Sequence, residues 1–387
     1  MKKIVIAIVA ILFVIPSIKA QDEPNPITTA APFLLITPDA RAGGMGDIGV
    51  ATSPDANSLH HNPAQFSFMN SQYKVGVIYT PWLRELTNDI FLGGFTVANR
   101  INDRSAWAAS LKYFNLGEIE LTDGSGFPIG TEKLNEFSLD GSYSLKLSDF
   151  FGMGVAMSYI RSDLGIKSAD ATINPVNTFT VGVSGYFQTD EQNYGSFNGR
   201  WRGGFNIANI GPKVTYTDGG SENFVPTNLK LGGGFDFVLD DYNRINTTLE
   251  FTKLLVPTPP IYGDHDDDPA TPDEIIKGKD DNVGFAKGMF QSFGDAPDGF
   301  SEELAEVTWA LGVEYMYNNA FALRTGFFHE SDLKGARQFF TIGAGFRFKS
   351  TELDVSYLFN ASDINNPLEN TLRFSLAFNF GDVYEDY

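Results

Sequence analysis

There is no cysteine among the 387 residues. An exported chain without disulfides must draw its stability from packing, from a closed sheet, or from a membrane. Basic residues are scarce, with 28 Lys and Arg against 48 Asp and Glu, for a formal charge of −20. That balance argues against nucleic acid as a partner, because neutralising phosphates takes clustered positive charge. Beyond Ile15 no apolar run approaches the roughly 20 residues that a membrane-spanning helix needs. Histidine is limited to His60, His61, His265 and His329. None stands mid-strand beside a serine and a carboxylate at alternating spacing, so the nucleophile–base pair of a hydrolase is missing and no catalytic residue is expected. A lipid deacylase acting through His60 or His61 is the one enzyme reading this leaves, and a weak one.

What is present starts with an export signal. Lys2 and Lys3 precede an apolar run from Ile4 to Ile15, and Ser17-Ile18-Lys19-Ala20 ends in a small residue. Residues 1–20 are therefore expected to be cleaved and to play no part in the fold. No cysteine follows the cut, which argues against a lipid anchor. Without Lys2, Lys3 and Lys19 the chain carries 25 basic residues against 48 acidic, a charge of −23.

Phe numbers 34, Tyr 15 and Gly 39, an unusual load of aromatics for a soluble chain. A β-barrel in a membrane accounts for it, since only every second residue faces lipid and mean hydropathy stays low. After residue 71 the period is two almost throughout. Leu372, Phe374, Leu376, Phe378 and Phe380 alternate with Thr371, Arg373, Ser375, Ala377 and Asn379. Fourteen strands are predicted, near 72–80, 88–98, 105–114, 135–145, 153–162, 177–187 and 199–208, then 226–238, 243–255, 307–317, 320–328, 337–348, 351–359 and 370–380.

A secreted sandwich would show the same alternation, so loop length has to decide. Connections after even strands are short, as at Asn318-Asn319 and Lys349-Ser350. Those after odd strands are long: 115–134, 163–176, 209–225 and 256–306, the last the longest. Sorting by parity is the outer-membrane pattern, and it sets both termini in the periplasm. Trp107, Trp201, Tyr315 and Tyr317 would mark the inner interface, Trp82 and Trp309 the outer one. The fold class is thus an all-β, 14-stranded antiparallel transmembrane barrel spanning 72–380, with 381–387 as a periplasmic tail.

Residues 21–71 do not alternate, and form a hatch inside the barrel. Ser53-Pro54 predicts a helix start and Asn62-Pro63 a stop. Pro38-Asp39-Ala40-Arg41-Ala42-Gly43-Gly44-Met45-Gly46, Val50 to Ala56, and His61-Asn62-Pro63-Ala64 resemble the hatch of FadL-like fourteen-stranded barrels. Hatch positions singled out are Arg41, Gly43, Gly44, His61, Asn62 and Pro63. Within that superfamily the whole chain resembles the PorV family of the Bacteroidetes type IX secretion system. The resemblance implies a carrier rather than a pore. Such a carrier docks on a giant translocon barrel of SprA or Sov type and takes cargo by its C-terminal signal domain. It then delivers that cargo to a sortase-like attachment complex of PorU type. The alternative is a FadL-like transporter of a hydrophobic small molecule.

Apolar residues at loop tips are candidate partner contacts: Trp82, Leu83, Phe127, Ile129, Phe224, Phe290 and Phe293. Inside the barrel a charge network is expected from Asp140, Arg202, Asp236, Glu250, Glu314, Arg324, Arg347, Asp354 and Arg373. Asp264, Asp266 and Asp268 superficially resemble a calcium loop. The turn glycine and the spaced bidentate glutamate are missing, so a solvated acidic loop is expected, loosely bridged to lipopolysaccharide if anything. No cofactor is expected.

Overall fold

The computed structural model describes residues 24–83, 89–122, 125–164, 173–263, 274–362 and 370–383. The signal segment, the Asp264–Asp266–Asp268 group and residues 384–387 lie outside the described residues.

Fourteen strands close into one barrel. They are β1 Ser71–Pro81, β2 Phe91–Arg100, β3 Ser105–Thr122, β4 Pro128–Lys146, β5 Phe151–Asp163, β6 Val176–Gln188 and β7 Asn198–Ile210. The second half comprises β8 Asn228–Val238, β9 Asn243–Leu254, β10 Val307–Tyr317, β11 Phe321–His329, β12 Gln338–Phe348, β13 Thr351–Asn360 and β14 Leu372–Val383. Each pairs antiparallel with the next, and β1 pairs with β14 from Tyr73 opposite Phe380 to Tyr79 opposite Phe374. Closure removes the free edges that an open sheet would present to lipid.

The barrel is inside-out relative to a soluble protein. Along β12, Phe340, Ile342, Phe346 and Phe348 point outward, each more than half exposed, whereas Thr341 is fully buried. Along β14, Phe374, Phe378 and Phe380 point out, and Arg373 and Ser375 point in. Apolar outside and polar inside is stable only where the outer solvent is hydrocarbon. Trp107 and Trp201 lie on this outer face at the start of their strands. Asn318 and Asn319 both take positive φ, 53° and 51°, as a two-residue hairpin turn demands.

One loop expectation is corrected. Residues 115–134 are mostly strand: β3 runs for 18 residues and β4 for 19, well beyond the 9–11 that span a bilayer. A register shift between Asn115 and Glu118 marks where the ribbon leaves the membrane zone, at Gly117 with φ 84°. Beyond it no apolar face is needed, so Glu118, Glu120 and Glu132 blur the alternation that would have revealed the strand. The last strand likewise continues past Phe380 through Gly381 to Val383, so part of the expected tail is ladder.

The hatch packs inside, as short helices Ala40–Gly43 and Ser58–His61 and a 3-10 turn Pro63–Phe68, nearly all buried. Ser53 does not cap a helix. Its Oγ and carbonyl accept from Arg41 instead, and the helix begins after Asn57. Asn62 ends it as expected, in extended conformation. Wall glycines receive the hatch: a methyl group on Gly326 would overlap the backbone of Met45, and one on Gly204 that of Val50.

The first part of the hatch segment, ahead of its helices, enters from the long-loop end. Asn25 N donates to Leu333 O at 3.0 Å, between β11 and β12, and its Nδ2 donates to Pro259 O at 3.1 Å, between β9 and β10. Strand β14 finishes at the opposite, short-turn end. The two described ends of the chain therefore lie at opposite mouths, which departs from the expectation that both sit on the periplasmic side.

Candidate functional site

Three layers occupy the barrel axis. At the centre, Arg41 of the hatch reaches Glu314 of β10 at 3.1 Å and Asp55 at 2.9 Å. Glu314 also accepts from Arg324 Nε at 2.6 Å, and Arg324 Nη1 reaches Asp354 at 2.6 Å. Arg373 Nη1 meets Asp47 Oδ1 at 2.5 Å. Glu250 accepts from the backbone N–H groups of Gly49 and Val50 at 2.8 and 2.9 Å, and pairs with Lys230 at 3.2 Å. Arg202 joins Asp236 to the carbonyl of Ala51.

Eight of the nine expected lumen charges thus have charged partners, but as separate clusters on different arcs of the wall. Among the described residues Arg347 pairs only with Glu352, at 2.7 Å, half-exposed at the short-turn mouth. Asp140 has no ion pair among the described residues. It accepts from Ser110 and Ser138, both at 3.0 Å. His61 Nε2 contacts Asp39 Oδ2 at 2.7 Å, and Asn62 Nδ2 donates to Gly185 O at 2.9 Å and Val50 O at 2.8 Å. Asp39, Asp47, Asp55 and Lys230 complete these clusters, and no sequence spacing links them to their partners. Only Asp39 carried a local signal, as the N-cap that accepts from Ala42 N at 2.8 Å.

Above the hatch lies a cavity of about 550 Å³. Leu59 and His60 border it from the hatch, Lys112 and Ala310 from the wall, and Leu34 and Ile36 from the preceding segment. Lys112 is buried and makes no ion pair among the described residues; its Nζ donates to Leu34 O at 3.3 Å.

The third layer is a cap built by the connection between β9 and β10, with helices Phe285–Gln291 and Phe300–Ala305. Lys253 binds Glu306 at 2.5 Å and Glu303 at 3.1 Å, while Lys334 binds Glu302 at 2.5 Å and Glu306 at 3.1 Å. Five charges, three buried and two partly buried, thus clasp the cap to the rim. No sequence periodicity links them. Asp295 sits beside the clasp, and burial, then the charge of Glu303, push its carboxyl up to about 6.

The candidate partner contacts divide. Phe290 is 80% exposed, Phe127 68%, Ile129 60% and Phe293 56%. Phe300 and Leu304 join them on the cap, both exposed. Phe224 is half-buried, with Lys213 stacked over its ring. Trp82 is a correction: it is 8% exposed and packs edge-on against Phe114 in an internal cluster with Phe33, Leu92 and Phe339. Ile78 and Thr80 face the lumen, so the same period of two carries Trp82 inward. Leu83, at φ 50°, folds onto the same cluster.

The family model for the type IX secretion system protein PorV matches residues 19–261. The chain belongs to the PorV family. Membership makes it an outer-membrane component of the type IX secretion system, in a family of transport proteins rather than enzymes. No protein of curated function matches it. Among solved structures, a mutant of the TodX monoaromatic hydrocarbon channel aligns with TM-score 0.51 at 11% identity, covering 88% of this chain and 99% of that one. A Pseudomonas aeruginosa FadL homologue gives TM-score 0.45 at 12% identity over 92% of this chain and 100% of its own. The Ralstonia pickettii toluene transporter TbuX gives 0.48 at 10%, over 89% and 98%. At these identities the likeness establishes the FadL-like fold alone.

Proposed function

We propose that this PorV-family barrel is a carrier that works from its rim. It docks on the giant translocon barrel, holds the C-terminal signal domain of secreted cargo, and hands that cargo to the sortase-like attachment complex. The observation that carries the reading is where greasy surface lies outside the lipid zone. Phe127 and Ile129 at the β3–β4 tip, with Phe290, Phe293, Phe300 and Leu304 on the cap, are exposed at the long-loop end. Apolar side chains left in water at loop tips mark partner surfaces, and aromatic anchors dominate binding energy. The lumen supports the same view, because buried ion pairs hold the hatch to strands on several sides of the wall.

The test is deletion of the chromosomal copy, scored for cargo on the cell surface and in the medium. The carrier reading expects cargo with C-terminal signals to stay inside. Normal export of every such protein would sink it. Purification from membranes should bring down a very large barrel.

A second reading has one observation in its favour. The cavity above the hatch is large enough for a small ligand, and TodX, of the same fold, is a hydrocarbon channel. A transporter would tolerate loss of the cap, whereas a carrier would lose partner or cargo binding with it.

A further inference from the structure

The segment between the signal region and the hatch is held along its length by the upper lumen. Asn25 is bonded through its main chain to Leu333 and through its side chain to Pro259 O and, at 3.3 Å, to Glu302. Ala30 N donates to Phe224 O at 2.8 Å, and Ala31 N to the Tyr216 hydroxyl at 3.2 Å. Phe33 is buried among Trp82, Leu92 and Phe339. Lys112 binds the carbonyl of Leu34, Thr80 that of Pro38 at 3.2 Å, and Ser375 Oγ accepts from Ala40 N at 2.7 Å. The hydrogen-bonded anchors alone come from six different strands and connections, and all of those ahead of the hatch helices belong to the long-loop half.

We infer that the chain is threaded through the barrel from outside to inside, so that the segment around residues 24–28 is displayed at the external mouth. Asn25 is its latch. It ties the β9–β10 cap and the β11–β12 connection together, and shares Glu302 with Lys334 of the clasp. A leader lying free in the periplasm would make none of these bonds. Pro24, Pro26 and Thr28 are exposed, while Asn25, Ile27 and Thr29 are partly covered, so alternate residues face water. The mature amino-terminal segment is then part of the same external surface as Phe290 and Phe293, and is open to the partners that meet the cap.

The inference rests on the long-loop end facing outward, and the experiment separates the two claims. The natural chain has no cysteine, so single substitutions report without background. Pro24→Cys and Pro26→Cys would be made in the full-length protein in its own outer membrane, beside Phe290→Cys on the cap and Asp382→Cys at the other mouth. Intact cells are treated with a membrane-impermeant maleimide, and each signal is normalised to labelling after denaturation. The expected result is that positions 24 and 26 label as fully as position 290, with position 382 reacting only after permeabilisation. Labelling at 24 and 26 that follows position 382 would overturn the threading. So would reactivity only after denaturation, since these residues would then not be displayed. If positions 290 and 382 exchange behaviour, the orientation itself falls, and the external display with it. Both prolines lie outside helix and strand, and agreement between them guards against one variant misfolding.

Discussion

Arg373 of the last strand meets Asp47 of the hatch at 2.5 Å, across 326 positions of sequence. Arg373 is nearly inaccessible, so neither charge can be relieved cheaply by water if the other is lost. The pair fixes where the hatch sits against β14, more than it adds net stability.

Arg373→Ala is expected to destabilise the folded barrel by about 3–5 kcal/mol, the usual cost of stranding a buried charge. Asp47→Asn should cost less, because it keeps one hydrogen-bond acceptor for the guanidinium, and the double variant should cost less than the sum of the singles. The check is the urea midpoint of the heat-modifiable band shift in detergent. Additive effects would show that the two side chains are not coupled.

Trp82 and Trp107 offer a contrast within one residue type. Trp82→Ala removes a buried ring from a packed cluster, and about 3–5 kcal/mol of stability should go with it. Trp107, on the lipid face, should cost under half of that when replaced by Leu, which keeps an apolar surface. Equal losses in a denaturant series would contradict the inward placement of Trp82.

Cap stability should depend on pH through Asp295. Its carboxyl titrates near 6 in the fold against 3.8 ordinarily, so the folded state binds the proton more tightly than the unfolded one. The stability this proton contributes is fully present below about 3.8 and is lost as pH rises through about 6. Proteolysis within residues 274–306 should therefore be slower at pH 5 than at pH 7.5, after correction for the protease's own pH profile. Asp295→Asn should flatten that difference. A cap equally protected at both values in the natural chain would rule the effect out.

Paired loop variants separate docking from folding. Phe290→Ala with Phe293→Ala, and Phe127→Ala with Ile129→Ala, remove exposed side chains and should shift stability by no more than about 0.5 kcal/mol. If these are partner anchors, recovery of the translocon or of cargo signal domains should drop tenfold or more, as hot-spot losses near 2 kcal/mol imply. Unchanged recovery with both pairs would remove them from the docking surface.

Sequence alone carries the barrel well, because lipid on one side and polar lumen on the other force a period of two wherever the chain crosses. It falters where that constraint lifts. The outer parts of β3 and β4 stand in water, so Glu118 and Glu132 carry no information about a face. Residue type points Trp82 to the outer interface, whereas parity with Ile78 and Thr80 turns it inward, and parity decides. The lumen charges were legible one by one, since a charge on an inward position must be solvated or paired. Which hatch residue each meets was not, because Asp47 and Arg373 are joined by a fold rather than by spacing. The clasp of Lys253, Lys334 and three glutamates has no local signature at all.

The seam between β1 and β14 sets an order of events. A sheet whose first strand bonds to its last remains an open strip until that last strand has paired. Hatch groups end up bonded to strands on several sides of the wall. Pushing the hatch through a finished ring would strip Arg41, Asp47 and the Glu250 contacts of water one after another with nothing in return. Laying it on the strip, and letting the strip curl around it, forms each pair as it dries. The last ladder to zip is then also the lock on the plug.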